Sequence, residues 1–202
     1  MGNSPRLPAE NLPCLSRQFT IGVNRILRTG FTPTVILWVD ASVYADDGPV
    51  MDASDAVLIC DRSVACRPSH VGLTAWVGEA ALTHGASPAE LLVSGNTGCG
   101  AARWAIALGC PCVYLLGMEA AYKDGQTDFW GVNLHHRGGA TLNVMRKELA
   151  RLRADFPDRV VDVPDGRCLR RIVADWPDQD PDALKRQVLA AIAGTGKDKT
   201  QH

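Results

Sequence analysis

Runs of apolar residues alternate with helix-period stretches along most of the chain. That alternation predicts an α/β fold in which mainly parallel strands are joined by helices packed on both faces of a sheet. Residues 19–23 form a short β-prone run. Residues 34–39 are apolar apart from Thr34 and stop at Asp40, as a strand buried on both faces reads. Residues 57–60 repeat the pattern before Asp61, and residues 91–93 give a weaker strand that ends in Ser94-Gly95-Asn96-Thr97-Gly98. Residues 101–108 read as a helix of small residues stopped by Gly109, and residues 112–117 are the best strand in the chain. Further on, Leu142, Met145, Leu149, Leu152 and Phe156 share one helical face, residues 160–163 predict a late strand, and residues 182–193 predict a terminal amphipathic helix.

The length of 202 residues suits one domain, since single cores stop growing at roughly 250–300 residues. We therefore expect a Rossmann-like single domain over residues 1–193 and a fraying tail over 194–202. Hydrophobic residues make up 46% and charged residues 21%, a globular balance that excludes a wholly disordered chain. With 21 basic and 22 acidic side chains the net charge is −1, so no global field exists to hold a nucleic-acid backbone. No apolar run approaches the roughly 20 residues that span a bilayer, and the first residues lack a secretion signal, so a cytoplasmic protein is expected. The 7 cysteines, at 14, 60, 66, 99, 110, 112 and 168, show no C-x-x-C spacing and read as reduced thiols.

Ligands of open parallel sheets bind where strands end in loops and helix N-termini, which ranks the chemistry-bearing residues. Gly95-Asn96-Thr97-Gly98-Cys99-Gly100 lies between strand and helix, where amides can face an anion and glycines can admit a phosphate; a tight turn with close helix packing is the alternative. Neither G-x-x-x-x-G-K-[ST] nor G-x-G-x-x-G occurs. Asn24 follows a strand directly and offers donors and an acceptor to a base or sugar, or else caps a helix. Asp40 can accept from a ribose, coordinate a magnesium ion, or cap the next turn. Glu119 follows the strongest strand and either orients a ligand or accepts backbone amides. Residues 117–139 carry Tyr122, Phe129, Trp130, His135, His136 and Arg137 without a helix or strand period, which points to a long functional loop. His135 or His136 is the candidate general base, with phosphate contact or surface packing as alternatives, and Arg137 can fork onto phosphate. No third residue completes a metal site with the two histidines.

Gly2-Asn3-Ser4-Pro5-Arg6-Leu7, then Ile21-Gly22-Val23-Asn24-Arg25, then Asn96-Thr97-Gly98 with Ala101, then Ala107-Leu108-Gly109 through Tyr114-Leu115-Leu116-Gly117-Met118-Glu119, occur in that order. Together these segments, over about residues 2 to 160, resemble the 6-hydroxymethylpterin diphosphokinase MptE-like proteins. They also resemble those proteins' Rossmann-type relatives, the bacterial sialyltransferases of glycosyltransferase family 42. The resemblance implies a nucleotide site in which Asn3, within the loop Gly2-Asn3-Ser4, joins Asn24, Asn96 and Thr97 around the nucleotide. Tyr122 would contact phosphate, and His135 or His136 would act as base. The relatives carry Gly-x-Asp where this chain has Gly117-Met118-Glu119, and a strand precedes their glycine–asparagine loop. Here Gly2 follows Met1 directly, so either the start of the sequence lies too late or the first strand has been lost, and its loss is expected to expose a sheet edge.

The resemblance implies a nucleotide-dependent group transferase acting on a hydroxyl acceptor, with glycosyl transfer from a nucleotide-sugar donor as the first reading. A magnesium-dependent diphosphokinase and a non-catalytic nucleotide-binding or assembly protein are the alternatives, and a homo-oligomer is compatible with each.

Overall fold

Successive residues of strand β2 (Val35–Trp38) bury on opposite faces: Val35 and Leu37 join one apolar cluster, Ile36 and Trp38 the other. Strand β3 (Val57–Asp61) does the same, with Ile59 on the first side and Leu58 and Cys60 on the second. Strands apolar on both faces need a covering layer on each, and each side chain of this size contributes about 1.5–3 kcal/mol on burial. The computed structural model describes residues 1–4, 7, 9–64, 67–78, 81, 87–120, 139–163 and 166–195.

The remaining strands are β1 (Ile21–Val23), β4 (Val71–Val77), β5 (Glu90–Val93), β6 (Val113–Leu116) and β7 (Val160–Val163). β1 to β5 form a curled sheet in chain order, β6 pairs with β7, and every pairing is parallel. The helices are α1 (Ala41–Asp52), α2 (Thr97–Ala107), α3 (Gly139–Asp155), α4 (Gly166–Val173) and α5 (Pro181–Thr195). Trp104 of α2 packs among Val23, Leu37, Ile59, Leu73 and Leu91, and its indole N–H donates to Pro88 O at 2.9 Å. Met51 of α1 and Leu169 of α4 cover the opposite face. The chain is thus an α/β, Rossmann-like single domain. Among the described residues no helix is long and apolar enough to cross a membrane.

Three elements lie outside the sequence expectation: α1, β4 and α4. α2 starts four residues earlier than its apolar pattern, because Asn96 caps it: Asn96 Oδ1 accepts from the amides of Gly98 at 2.8 Å and Cys99 at 3.4 Å. α5 continues to Thr195, two residues into the stretch expected to fray.

The two sheets meet at residues 1–4. The Met1 amine donates to Ile21 O at 2.6 Å and Met1 O accepts from Val23 N at 3.1 Å, a parallel bridge to β1. On the other side Gly2 N donates to Leu116 O at 2.8 Å and Ser4 N to Gly117 O at 3.0 Å. Met1 thus pairs with the carboxyl end of β1, and Gly2 and Ser4 with the carboxyl end of β6 and the residue after it.

Candidate functional site

The carboxyl ends of β1 and β6 are drawn together by that junction, and three sequence-predicted residues sit on it. Asn24 follows Val23 with φ 52°, a left-handed conformation that asparagine tolerates, and its amide donates to Leu37 O at 3.0 Å. Asn3 lies between the two residues hydrogen-bonded to β6 and its extension, and Glu119 stands two positions after Gly117. Asn3 Oδ1, Asn24 Oδ1 and Glu119 Oε2 are buried and, among the described residues, have no hydrogen-bond partner. A buried acceptor without a donor costs about 1–3 kcal/mol, a cost that a donor-bearing ligand would relieve. Asn24 caps no helix here; Arg25 occupies that position before the short 3₁₀ turn Ile26–Thr29.

Met118 ties this junction to the α2 turn. A Cβ added to Gly2 or to Gly98 would overlap the Met118 thioether, so both glycines permit a close approach to one side chain. Residues 2, 98 and 117–118 are thereby brought together, and the Val23 N–Met1 O bond ties the end of β1 to the same junction. Gly95 has φ 140° and packs where a Cβ would lie 2.6 Å from Val144 Cγ1.

The glycine turn does not present all its amides outward. Those of Gly98 and Cys99 are taken by the Asn96 side chain, and Gly100 N donates to Asn96 O at 3.1 Å. Asn96 therefore acts first as a helix cap, while Thr97, half-buried, opens the helix. Ser4 is buried, with its carbonyl accepting from Leu7 N at 2.9 Å. Asp40 is exposed at the N-cap position of α1, with no capping hydrogen bond from its side chain.

No protein-family model, curated protein or solved structure matches the chain.

Behind the junction, charge pairs fix the supporting elements. Arg25, with 8% of its side chain exposed, is paired with Asp46 and lies 3.8 Å from Asp47; Arg28 holds Asp47 at 2.7 Å. On the α2 side, Arg103 reaches Glu148 at 3.6 Å and Asp155 at 3.4 Å, and the Ser94 hydroxyl donates to Glu148. These contacts hold the loop after β1 to α1, and the turn after β5 to α3.

Tyr122, His135, His136 and Arg137 fall within 121–138 and lie outside the described residues. A different histidine, which sequence reasoning missed, is buried elsewhere: His70 packs edge-on to Trp38 and Tyr44, and its Nε2 lies 3.3 Å from Asp52 Oδ1. Tyr44 donates to the same carboxylate at 2.7 Å, and this bond, with His70 and Arg67 adding, holds Asp52 below the usual carboxylate range. The nearest sequence signal was Tyr44 and Asp52 spaced eight apart in a stretch whose Gly48-Pro49 disguises a helix.

The cysteines are free thiols among the described residues. Burial pushes Cys99 up to about 12 and also raises Cys110, so neither offers a thiolate at neutral pH. No group of three metal-ligating side chains occurs among the described residues.

Proposed function

We propose that the protein binds a nucleotide at the carboxyl ends of β1 and β6 and transfers a group from it to a hydroxyl acceptor. The first choice of donor is a nucleotide sugar. The observation that carries this reading is the trio Asn3 Oδ1, Asn24 Oδ1 and Glu119 Oε2, each buried and, among the described residues, without a hydrogen-bond partner. All three are acceptors as placed, so they match the donors a nucleoside offers, its ribose hydroxyls and exocyclic amine, better than they match phosphate. With the Gly98 and Cys99 amides engaged, phosphate contacts fall to Thr97 and, by the family resemblance, to Tyr122, with the planar guanidinium of Arg137 as a further phosphate ligand. His135 or His136 would accept the acceptor-hydroxyl proton as the new bond to the transferred group forms and the nucleotide leaves. Isothermal titration of CMP, CTP, UDP and ATP tests the reading directly: saturable heat with one of them supports it, and no binding at millimolar concentration removes it.

Asp40 favours one second reading. Its carboxylate is exposed at the end of β2, beside Asn24's strand, and free of capping duty, which suits a magnesium ion in diphosphate transfer from ATP. Turnover that requires magnesium and falls sharply in Asp40→Asn selects this chemistry. Metal-independent turnover selects glycosyl transfer, and affinity without turnover across a donor panel selects the binding protein.

A further inference from the structure

Ala120 has φ 48°, and among the described residues only Asn24 shares that left-handed region without being glycine. Alanine has no side-chain amide to support the conformation, so its surroundings must hold it. Two contacts do so. Its side chain packs on the cluster that contains Leu115, Met118, Leu149 and Leu152, and its carbonyl accepts from Arg146 Nε of α3 at 3.2 Å. Backbone held in this way gathers at ligand clamps.

Ala120 directly follows Glu119, whose Oε2 is one of the buried acceptors without a partner. Arg146 is therefore fixed beside that carboxylate by a bond to the adjoining residue. Only its Nε is committed: among the described residues the two Nη groups have no partner, and no carboxylate pairs with them, Glu119 included. The other cations that serve this end of the sheets are engaged. Arg25 is paired with Asp46, Arg28 with Asp47, and Arg103 with Glu148 and Asp155. The Met1 amine donates to Ile21 O, and burial lowers it to about 5, which leaves it neutral at pH 7.

A nucleotide carries its phosphate on the same ribose that offers hydroxyl donors, a few bonds away. A carboxylate that accepts from those hydroxyls repels the phosphate, and a cation close to both offsets the repulsion. A planar guanidinium fork can meet two phosphate oxygens at once.

We propose that Arg146 is a phosphate-binding residue of the nucleotide site, with its Nε–H anchored on Ala120 O and its Nη fork left for the phosphate nearest the ribose. The assignment rests on the nucleotide reading and adds to it a described side chain that takes the charge of the donor. Arg146 is exposed on α3, so its charge carries no burial cost before the phosphate arrives.

The test titrates three pairs, cytidine with CMP, uridine with UMP and adenosine with AMP, into the full chain as native, Arg146→Gln and Arg146→Lys. For the base that binds, the native chain should prefer the monophosphate about tenfold or more. Arg146→Gln should lose about tenfold for the monophosphate and less than twofold for the nucleoside. The same selective loss should persist in an Ala120→Gly background, where the left-handed turn no longer needs the arginine to hold it. A merely structural role would displace Glu119 and weaken both members of the pair alike, so equal losses overturn the assignment, as does an unchanged monophosphate affinity. If Arg146→Gln fails to fold, Arg146→Lys decides: it keeps a charge without the fork and should lose about threefold for the monophosphate alone. Native affinity in that variant overturns the assignment. A native chain that binds no member of any pair removes the nucleotide reading itself, whereas native binding with an indifferent Arg146 removes only this residue's role.

Discussion

Gly98 and Gly2 leave room for the same thioether: a Cβ at Gly98 would overlap the Met118 sulfur, and one at Gly2 would lie 2.6 Å from that sulfur and overlap Gly117 O. The two contacts differ in what can yield. At Gly98 the obstacle is the far end of a flexible side chain; at Gly2 it includes backbone. Gly98→Ala should cost about 1 kcal/mol and Gly2→Ala about 2–3 kcal/mol. In a Met118→Ala background the Gly98 penalty should vanish and the Gly2 penalty persist, measured by urea denaturation as a double-mutant cycle. Equal penalties in both backgrounds would remove Met118 as the hub.

Asn24 separates conformation from chemistry, because its φ of 52° penalises alanine but not glycine. Asn24→Ala should lose about 1 kcal/mol of stability, and Asn24→Gly should lose little. If its oxygen receives a ligand donor, both variants should weaken nucleotide binding about tenfold by titration calorimetry. Retained affinity in Asn24→Gly would reduce the residue to a turn former.

Glu148 is the hub of a buried charge network and is expected to matter for stability. Glu148→Ala leaves Arg103, with 9% of its side chain exposed, to Asp155 alone and frees the Ser94 hydroxyl. The loss should be about 3 kcal/mol in urea, whereas Arg103→Met with Glu148→Leu should lie near the native value. An equal loss in the double variant would contradict the charge argument.

Met1 gives the fold a pH dependence of known sign. Its amine titrates from its ordinary value of 8.0 when unfolded but only at about 5 when enclosed, so between these values the unfolded chain binds more protons. Stability should therefore rise from pH 5 to pH 8, by up to about 1.4 kcal/mol per unit. Acetylating the amine should flatten that slope, and urea midpoints at pH 5.5 and 8.0 read the difference. Identical slopes with and without acetylation would show the amine to be solvated.

Strands buried on both faces were legible because they leave no polar alternation: β2, β3 and β6 read directly as apolar runs. β4 escaped because Val71-Gly72-Leu73-Thr74-Ala75-Trp76-Val77 mixes polar and small residues on a half-covered strand, ending at Val77, 60% exposed. α1 escaped because Gly48 and Pro49 near its end contradict helix propensity, which packing of Val43 and Met51 overrides. At the site, Asn24 and Glu119 were legible from their positions after strands, and Asn3 only through the family resemblance. Their unpartnered oxygens were not, since the donors a residue lacks depend on neighbours far along the chain. Nor was the capping role of Asn96, which competes with an anion for the same amides.

Trp38 is fully buried, stacked on Tyr44 at 6.1 Å and edged by His70 at 5.2 Å, one residue beyond the carbonyl that receives the Asn24 amide. Anything that shifts Asn24 tugs the end of β2, and the Arg25 pairs carry the same tug to α1, where Tyr44 sits. The chain thus holds its own optical gauge: an indole shielded from water and quenchable by its ring neighbours, whose emission should change when the strand ends are occupied, with no label attached.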